Sequence, residues 1–339
     1  MSQSLANKYR PKDFESVCGQ NSIVKILQRQ IYLKEYKHSY LFTGPSGTGK
    51  TTLCRLLASK INGSSNGIIE VDAASNNGVE NVRNIVKSAR ERSINSKYKI
   101  YIVDECHMTT ISGWNSFLKC IEEPPEYTIF MFCTTNPEKI PPTIINRCQR
   151  YNLSKISTNK IIERLSYICE QEGFTNYKET VEYISKLSDG GMRDAISNLE
   201  KVASYNTDFN IKTTLEVLGE YSYDLFFKLV NNIVDSKCTE VLQTISEVYY
   251  KGDDLKIFTD KFFNFCLDVT KYSLFKDMNL LTIPKSLQQE LDLSTNFENA
   301  SQYYMIIVDK LLNLKTKIRN DTDIRPTVEA TFLNIARWE

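Results

Sequence analysis

The octapeptide Gly44-Pro45-Ser46-Gly47-Thr48-Gly49-Lys50-Thr51 carries the main structural signal of this 339-residue chain. It fits G-x-x-x-x-G-K-[ST], in which the glycines let backbone N–H groups wrap a phosphate chain. Just before it, Ser39-Tyr40-Leu41-Phe42-Thr43 reads as a buried strand, and Thr51-Thr52-Leu53-Cys54-Arg55-Leu56-Leu57-Ala58 has helical spacing. A strand that enters a glycine loop and opens a helix aims the helix N-terminus at the phosphates. In such a loop the lysine, Lys50, reaches the β- and γ-phosphates and the Thr51 hydroxyl serves Mg²⁺. These residues predict a nucleoside-triphosphate site on an α/β sheet.

About fifty residues on, Lys99-Ile100-Tyr101-Ile102-Val103-Asp104-Glu105 is an apolar run that ends in two carboxylates. Ligands of parallel α/β sheets sit at the carboxyl ends of the strands, where Asp104 and Glu105 would emerge. Asp104 is then a candidate to help hold Mg²⁺, and Glu105 to orient and polarise an attacking water. Cys106-His107 follows, but adjacent residues without a second ligand pair make poor metal spacing. A third strand, Tyr127–Cys133, leads into Thr134-Thr135-Asn136-Pro137 and should lie beside the Asp104 strand, bringing a hydroxyl or amide near the γ-phosphate. Ser188-Asp189-Gly190-Gly191-Met192-Arg193 reads as a helix stop, a glycine break and a new helix. Arg193 in that first turn opposes the helix dipole, a local cost of the kind found at functional sites.

Composition narrows the classes. The chain has 42 Lys and Arg against 41 Asp and Glu, so any nucleic-acid contact must come from a local patch. Lys87, Arg90, Arg92, Lys97 and Lys99 form such a patch, with only Glu91 opposing. Val79, Val82, Ile85 and Ala89 put an apolar stripe on the same helix and should leave the basic groups outward; a solvated basic face is the commoner meaning of such a run. The nine cysteines are scattered singly, without C-x-x-C, as expected of reduced and mostly buried thiols. With no long apolar run and no leader pattern, the sequence predicts a cytoplasmic chain with no membrane partner.

Organisation follows. Residues 1–154 alternate strands and helices, as an ATP-binding sheet domain should. Residues 155–207 read as three helices: one after Thr158, a plausible N-cap, one over Tyr177–Leu187 and one over Met192–Tyr205. Residues 208–339 read as helices throughout, including Leu225–Val234, Val241–Tyr250, Leu255–Phe275 and Tyr303–Leu314, with breaks at Pro284 and at Asn320–Thr322. Phe226, Phe227, Phe262, Phe263 and Phe265 suggest apolar faces that pack subunits into a ring, or else a self-contained helical core.

Together these segments resemble the AAA+ ATPases, and among them the gamma/tau ATPase subunits of the bacterial DNA polymerase III clamp loader. The resemblance rests on Lys8-Tyr9-Arg10-Pro11 with Phe14 and Val17-Cys18-Gly19-Gln20, the phosphate loop, and Val71-Asp72-Ala73-Ala74-Ser75. It continues through Val103-Asp104-Glu105-Cys106-His107-Met108, Ile121-Glu122-Glu123-Pro124-Pro125-Glu126, Thr134-Thr135-Asn136-Pro137, Asn146-Arg147-Cys148 and Gly191-Met192-Arg193-Asp194-Ala195. These stand in the family's order over roughly residues 5–205. The resemblance weakens beyond Tyr205, although Arg325, Pro326 and Glu329 resemble part of the family's last helix.

The resemblance implies an ATP-binding sheet domain, a three-helix lid and a helical collar. Gly44 to Thr52 would bind ATP, with Lys50 and Thr51 as Walker A and Asp104 and Glu105 as Walker B. Thr51 and Asp104 would hold Mg²⁺. Thr135 would be sensor 1 and Arg193 sensor 2. Arg147 would be the arginine finger offered to a neighbouring subunit, and Tyr9, Arg10, Pro11 and Val17 would border the adenine. The partners implied are a sliding clamp, primed-template DNA and other loader subunits in a ring. Another AAA+ DNA motor, such as a branch-migration helicase, and a non-catalytic scaffold subunit are the alternatives.

Three departures stand out. The family's four-cysteine zinc module is replaced by Ile61-Asn62-Gly63-Ser64-Ser65-Asn66-Gly67, so no zinc is expected. Asn146 stands where a serine usually precedes the finger. The sequence ends at Glu339, which resembles the short gamma form and would suit a bacteriophage or a minimal replisome.

Overall fold

The computed structural model describes residues 3–76, 78–319 and 323–337. The proposed break at Asn320–Thr322 therefore lies outside the described residues. Five strands, β1 (Ser39–Thr43), β2 (Ile68–Asp72), β3 (Lys99–Asp104), β4 (Thr128–Thr134) and β5 (Gln149–Asn152), form one sheet in the order β2-β3-β4-β1-β5. All pairs are parallel. In register, Thr43 faces Thr134 and Asn152, and Asp72 faces Asp104, so these strands deliver their last residues to one edge. That edge, outside the carboxyl ends, is where such sheets bind ligands.

Alternation along the strands explains the layers. Tyr40, Phe42, Ile100, Ile102, Ile129 and Met131 meet α2 (Asn21–Leu33) and α3 (Lys50–Asn62), which follow the short α1 (Leu5–Lys8). Leu41, Tyr101, Val103, Phe130 and Phe132 point the other way, toward α4 (Val79–Ala89) and α5 (Ile111–Glu122). Strands covered on both faces carry apolar residues at consecutive positions, and β4 is buried along its whole length. Trp114 and Phe117 of α5 sit with ring centroids 5.3 and 5.5 Å from Phe132.

After β4 come α6 (Pro142–Ile145), α7 (Thr158–Glu172), α8 (Lys178–Leu187) and α9 (Met192–Tyr205). Thr158 is the first helical residue rather than the cap, because the Ile161 N–H already bonds the Ser157 carbonyl. The chain divides into two compact units: residues 1–172 with 188–200, and residues 173–187 with 201–339.

The second unit is mostly helical, with α8 and then α10 (Ile211–Leu218), α11 (Tyr223–Val234), α12 (Cys238–Tyr250), α13 (Leu255–Phe275), α14 (Gln288–Ser294), α15 (Ala300–Ile318) and α16 (Ile324–Ala336). Helices α11, α12 and α15 begin two or three residues before the sequence-based starts. Ser222 caps α11 through its hydroxyl, ahead of the apolar run. Pro284 caps the short 3-10 turn Lys285–Leu287, a position that tolerates its fixed φ and missing N–H.

Of the two readings open for the phenylalanines, their packing fits the self-contained core. Phe226, Phe227, Phe262 and Phe265 are buried within this unit's own core, and Phe263 packs against it beneath the Lys315 ammonium. The rings of Phe226, Phe227, Phe262 and Phe265 contact one another, so these four build this unit's own core. Arg325 lies on α16, bonds Glu329 one turn on at 2.7 Å and stacks over Tyr249.

Candidate nucleotide site

The loop between β1 and α3 begins where a side chain cannot fit. Gly44 has φ +145°, and a Cβ there would stand 2.4 Å from the Leu153 carbonyl oxygen. Gly47 has φ +70°, with the Gly191 Cα 3.0 Å from its Cβ position. The Met192 N–H donates to the Gly47 carbonyl at 3.0 Å, which seats the first turn of α9 on the loop. Thus Arg193 reaches the site from a helix nearly 150 residues away in sequence.

The loop lines a cleft of about 440 Å³, within the roughly 300–1,000 Å³ of ligand pockets. Ser46, Gly47, Thr48, Gly49, Lys50, Thr51 and Thr52 line it, together with Tyr9, Arg10, Pro11, Val17, Arg193, Asp104 and Glu105. Gly44 and Pro45 do not line the cleft. Their carbonyls accept the Lys50 ammonium, each at 2.8 Å. Burial pulls the Lys50 amine below its ordinary pKa, against the opposing pull of Glu105 and Asp104.

Thr51 Oγ1 donates to Asp104 Oδ2 at 2.8 Å, and Asp104 Oδ1 accepts the Glu105 N–H at 3.0 Å. A hydroxyl and a carboxylate this close can serve one hard cation such as Mg²⁺, which takes oxygen ligands and keeps several waters. Glu105 has φ +45°, in the left-handed region that costs a non-glycine residue about 1–3 kcal/mol. Thr135 lies behind the cleft wall, its Oγ1 3.2 Å from Glu105 Oε2. Cys106 is fully buried, which pushes its thiol well above the usual range and away from ligand chemistry.

The sequence reading missed several residues that complete the cleft. Arg164 of α7 lines it and donates to the Tyr9 carbonyl at 2.8 Å. Glu172 takes the Lys8 ammonium at 2.6 Å and the Tyr9 hydroxyl, fastening the N-terminal segment to α7. Burial, with Glu172 as its acceptor, pushes the Tyr9 phenol up to about 12. Cys18, Ile156 and Ile196 add an apolar wall. No spacing rule connects α7 to Tyr9; only the folded chain does.

Arg147 stands apart from this cleft, between α6 and β5, and is exposed. It donates to the Thr143 carbonyl at 2.7 Å and pairs with Glu122 at 2.6 Å. The Glu122 carboxylate, unfavourable at the end of α5 by the dipole alone, thus has a partner.

The basic patch is smaller than expected. Lys87, Arg90, Arg92 and Lys97 are exposed, but α4 ends at Ala89, so Arg92 and Lys97 belong to the following loop. Lys99 turns inward, and its ammonium bonds the Ser88 carbonyl at 2.7 Å and the Ser88 hydroxyl at 2.9 Å. A cation there caps the carbonyl end of α4, which the dipole favours.

Comparisons with known proteins bear on this site. A family model described as DNA polymerase III, delta subunit, matches residues 66–157. The DNA polymerase III subunit tau of Bacillus subtilis is 37% identical over 286 residues, 78% of this chain and 51% of its own. The DNA polymerase III subunit gamma of Buchnera aphidicola subsp. Schizaphis graminum is 30% identical over 335 residues, covering 91% of each chain. This chain belongs to the DNA polymerase III gamma/tau family. It spans between a third and about half of the length of the tau and gamma/tau relatives, from 33% to 55%. Among solved structures, the RuvB Holliday junction branch migration motor of Thermotoga maritima aligns with a TM-score of 0.52 and 18% identity. That alignment covers 73% of this chain and 86% of the other, and it speaks for the fold alone. The fold of this gamma/tau family member is an α/β AAA+ domain followed by a helical C-terminal region.

Proposed function

We propose that this chain is the ATP-driven motor subunit of a sliding-clamp loader acting in DNA replication. The observation that carries the reading is one cleft wall formed by Lys50, Thr51, Asp104 and Glu105, in a chain 30% identical to a gamma subunit along 91% of both lengths. Lys50 and the loop N–H groups bind the phosphates of ATP, and Thr51 with Asp104 holds Mg²⁺, which offsets phosphate charge when bound. Glu105 orients the attacking water, with Thr135 as sensor 1 beside it. Arg193 reads the γ-phosphate from α9, and Tyr9, Arg10, Pro11 and Val17 border the adenine.

In this reading residues 1–154 are the motor, 155–207 the lid and 208–339 the collar that joins subunits into a ring. Arg147 serves the neighbour's site, so hydrolysis depends on assembly. In the free subunit Glu122 keeps that guanidinium paired until the neighbour supplies phosphates. Lys87, Arg90, Arg92 and Lys97 are the candidate DNA phosphate contacts, and their binding should weaken steeply with salt. ATP binding opens and holds the clamp, primed template aligns Arg147, and hydrolysis releases the closed clamp. No described helix is long and apolar enough to cross a membrane.

Steady-state ATPase measured with primed-template DNA, with and without clamp and small loader subunits, tests the reading. Turnover that rises only with DNA and clamp together supports it. Turnover indifferent to the clamp but driven by long or branched DNA would move the assignment to a helicase-like motor.

A further inference from the structure

His107 is one of only two histidines in the chain, and it stands against the candidate water-orienting carboxylate. Its Nδ1 and Thr135 Oγ1 each lie 3.2 Å from Glu105 Oε2. Among the described residues both contacts to this carboxylate fall on Oε2, so Oε1 keeps its lone pairs for a water. The His107 side chain is 9% exposed and that of Glu105 39%, so an enclosed ring holds a more open carboxylate.

The ring itself is held by the end of β4. His107 Nδ1 is 3.1 Å from Thr134 Oγ1, and Nε2 is 3.5 Å from the Asn136 amide nitrogen. The Asn136 N–H in turn bonds Thr134 Oγ1 at 3.0 Å. With the Asn136 amide nitrogen donating to Nε2, the ring proton is assigned to Nδ1, which hydrogen-bonds Thr134 Oγ1 and has Glu105 Oε2 beside it at 3.2 Å. Local backbone supplies the reach. Glu105 in the left-handed conformation leads into the 3-10 turn Cys106–Met108, which brings His107 back beside the carboxylate it follows by two residues.

We propose that His107 is a positioning residue for the ATPase reaction: its Nδ1–H, shared between Thr134 Oγ1 and Glu105 Oε2, ties the carboxylate to the end of β4 and fixes the pose from which Oε1 orients water. The inference rests on the ATPase reading above. It also gives the Thr134-Thr135-Asn136 segment a second task, because a displacement at the end of β4 moves ring and carboxylate together.

The test compares wild type, His107→Asn and His107→Gln as full chains in the assembled loader with clamp and primed DNA. Asparagine places an amide N–H near the Nδ1 position, whereas glutamine places its own near Nε2. The glutamine variant should lose about 10–100-fold in kcat, the asparagine variant should stay within about threefold of wild type, and KM for ATP should stay within about twofold in both. Equal kcat in all three, a glutamine variant faster than the asparagine variant, or a loss confined to KM overturns the inference. A wild type that hydrolyses no ATP under these conditions would instead defeat the ATPase reading. The tautomer still decides in that case, because ¹⁵N NMR of the two imidazoles, assigned with His107→Gln, should show His107 protonated at Nδ1. A proton on Nε2 overturns the proposal independently of turnover.

Discussion

Thr51→Ala isolates the cation's share of nucleotide binding. The hydroxyl it removes lies 2.8 Å from Asp104 Oδ2 at the cleft wall. Two effects then separate. Without metal the variant loses a hydrogen bond to a carboxylate that is partly exposed, so stability should fall by no more than about 1 kcal/mol. With Mg²⁺ it loses an oxygen that would stand between cation and protein. Interactions of that kind are worth about 10–100-fold in affinity, or roughly 1.4–2.7 kcal/mol. Nucleotide affinity measured by calorimetry in Mg²⁺ and again in EDTA distinguishes them. The expected result is a 10–100-fold loss in Mg²⁺ and a change of less than about twofold in EDTA. Asp104→Asn should give the same pattern, and the double variant should cost less than the sum, because both residues serve one ion. An equal loss with and without Mg²⁺ would refute the shared-cation argument and leave Thr51 as a loop-shaping residue.

Other outcomes follow from the same geometry. Arg147→Ala should leave ATP affinity nearly unchanged, because Arg147 lies outside the cleft, yet remove DNA-stimulated hydrolysis by about 10³-fold or more; normal stimulated turnover sinks the trans assignment. Glu122→Gln, which breaks a pair about two-fifths exposed on both sides, should alter urea stability by less than about 1 kcal/mol. Gly44→Ala meets the Leu153 carbonyl at 2.4 Å in a left-handed backbone and should cost about 3 kcal/mol or more; a wild-type urea midpoint would contradict this. Hydrogen bonds from Lys8 and Tyr9 lower the Glu172 pKa from its ordinary 4.5. Their stabilisation is therefore present above pH 4.5 and lost as pH falls through the lower folded value. Glu172→Gln should flatten the acid limb of a thermal-melting profile, and an unchanged limb would show that this contact does not report on folding.

Much of the site is legible before any coordinates, for local reasons. The phosphate loop is a run of eight residues whose conformation is set by glycines and by the helix it opens, so sequence neighbours are spatial neighbours. The same holds for Val103-Asp104-Glu105, where strand alternation puts the carboxylates at the sheet edge. The position of Thr135 is readable in the same way, because it follows β4 and β4 pairs with β3. The basic run illustrates the opposite case. Charge and spacing put Lys99 on an exposed face, but the carbonyls at the end of α4 offered its ammonium a better partner.

The helical second unit shows the same division on a larger scale. The period of 3.6 residues marks Leu255–Phe275 as a helix whatever surrounds it. It does not say whether Phe226, Phe262 and Phe265 face a neighbouring chain or one another, since both bury the same area. Packing decided that they face one another.

By itself, then, the sequence determined the nucleotide loop, the paired carboxylates, the order of strands and helices along the chain, and the family. Each is written in contiguous residues or in short periods. Tertiary structure alone decided that α7 anchors Tyr9, that α9 lays Arg193 on the loop, that Glu122 pairs with Arg147, and that His107 turns to Glu105. Those contacts join segments from two to more than 160 residues apart through side-chain direction and burial, and neither quantity is encoded in spacing along the chain.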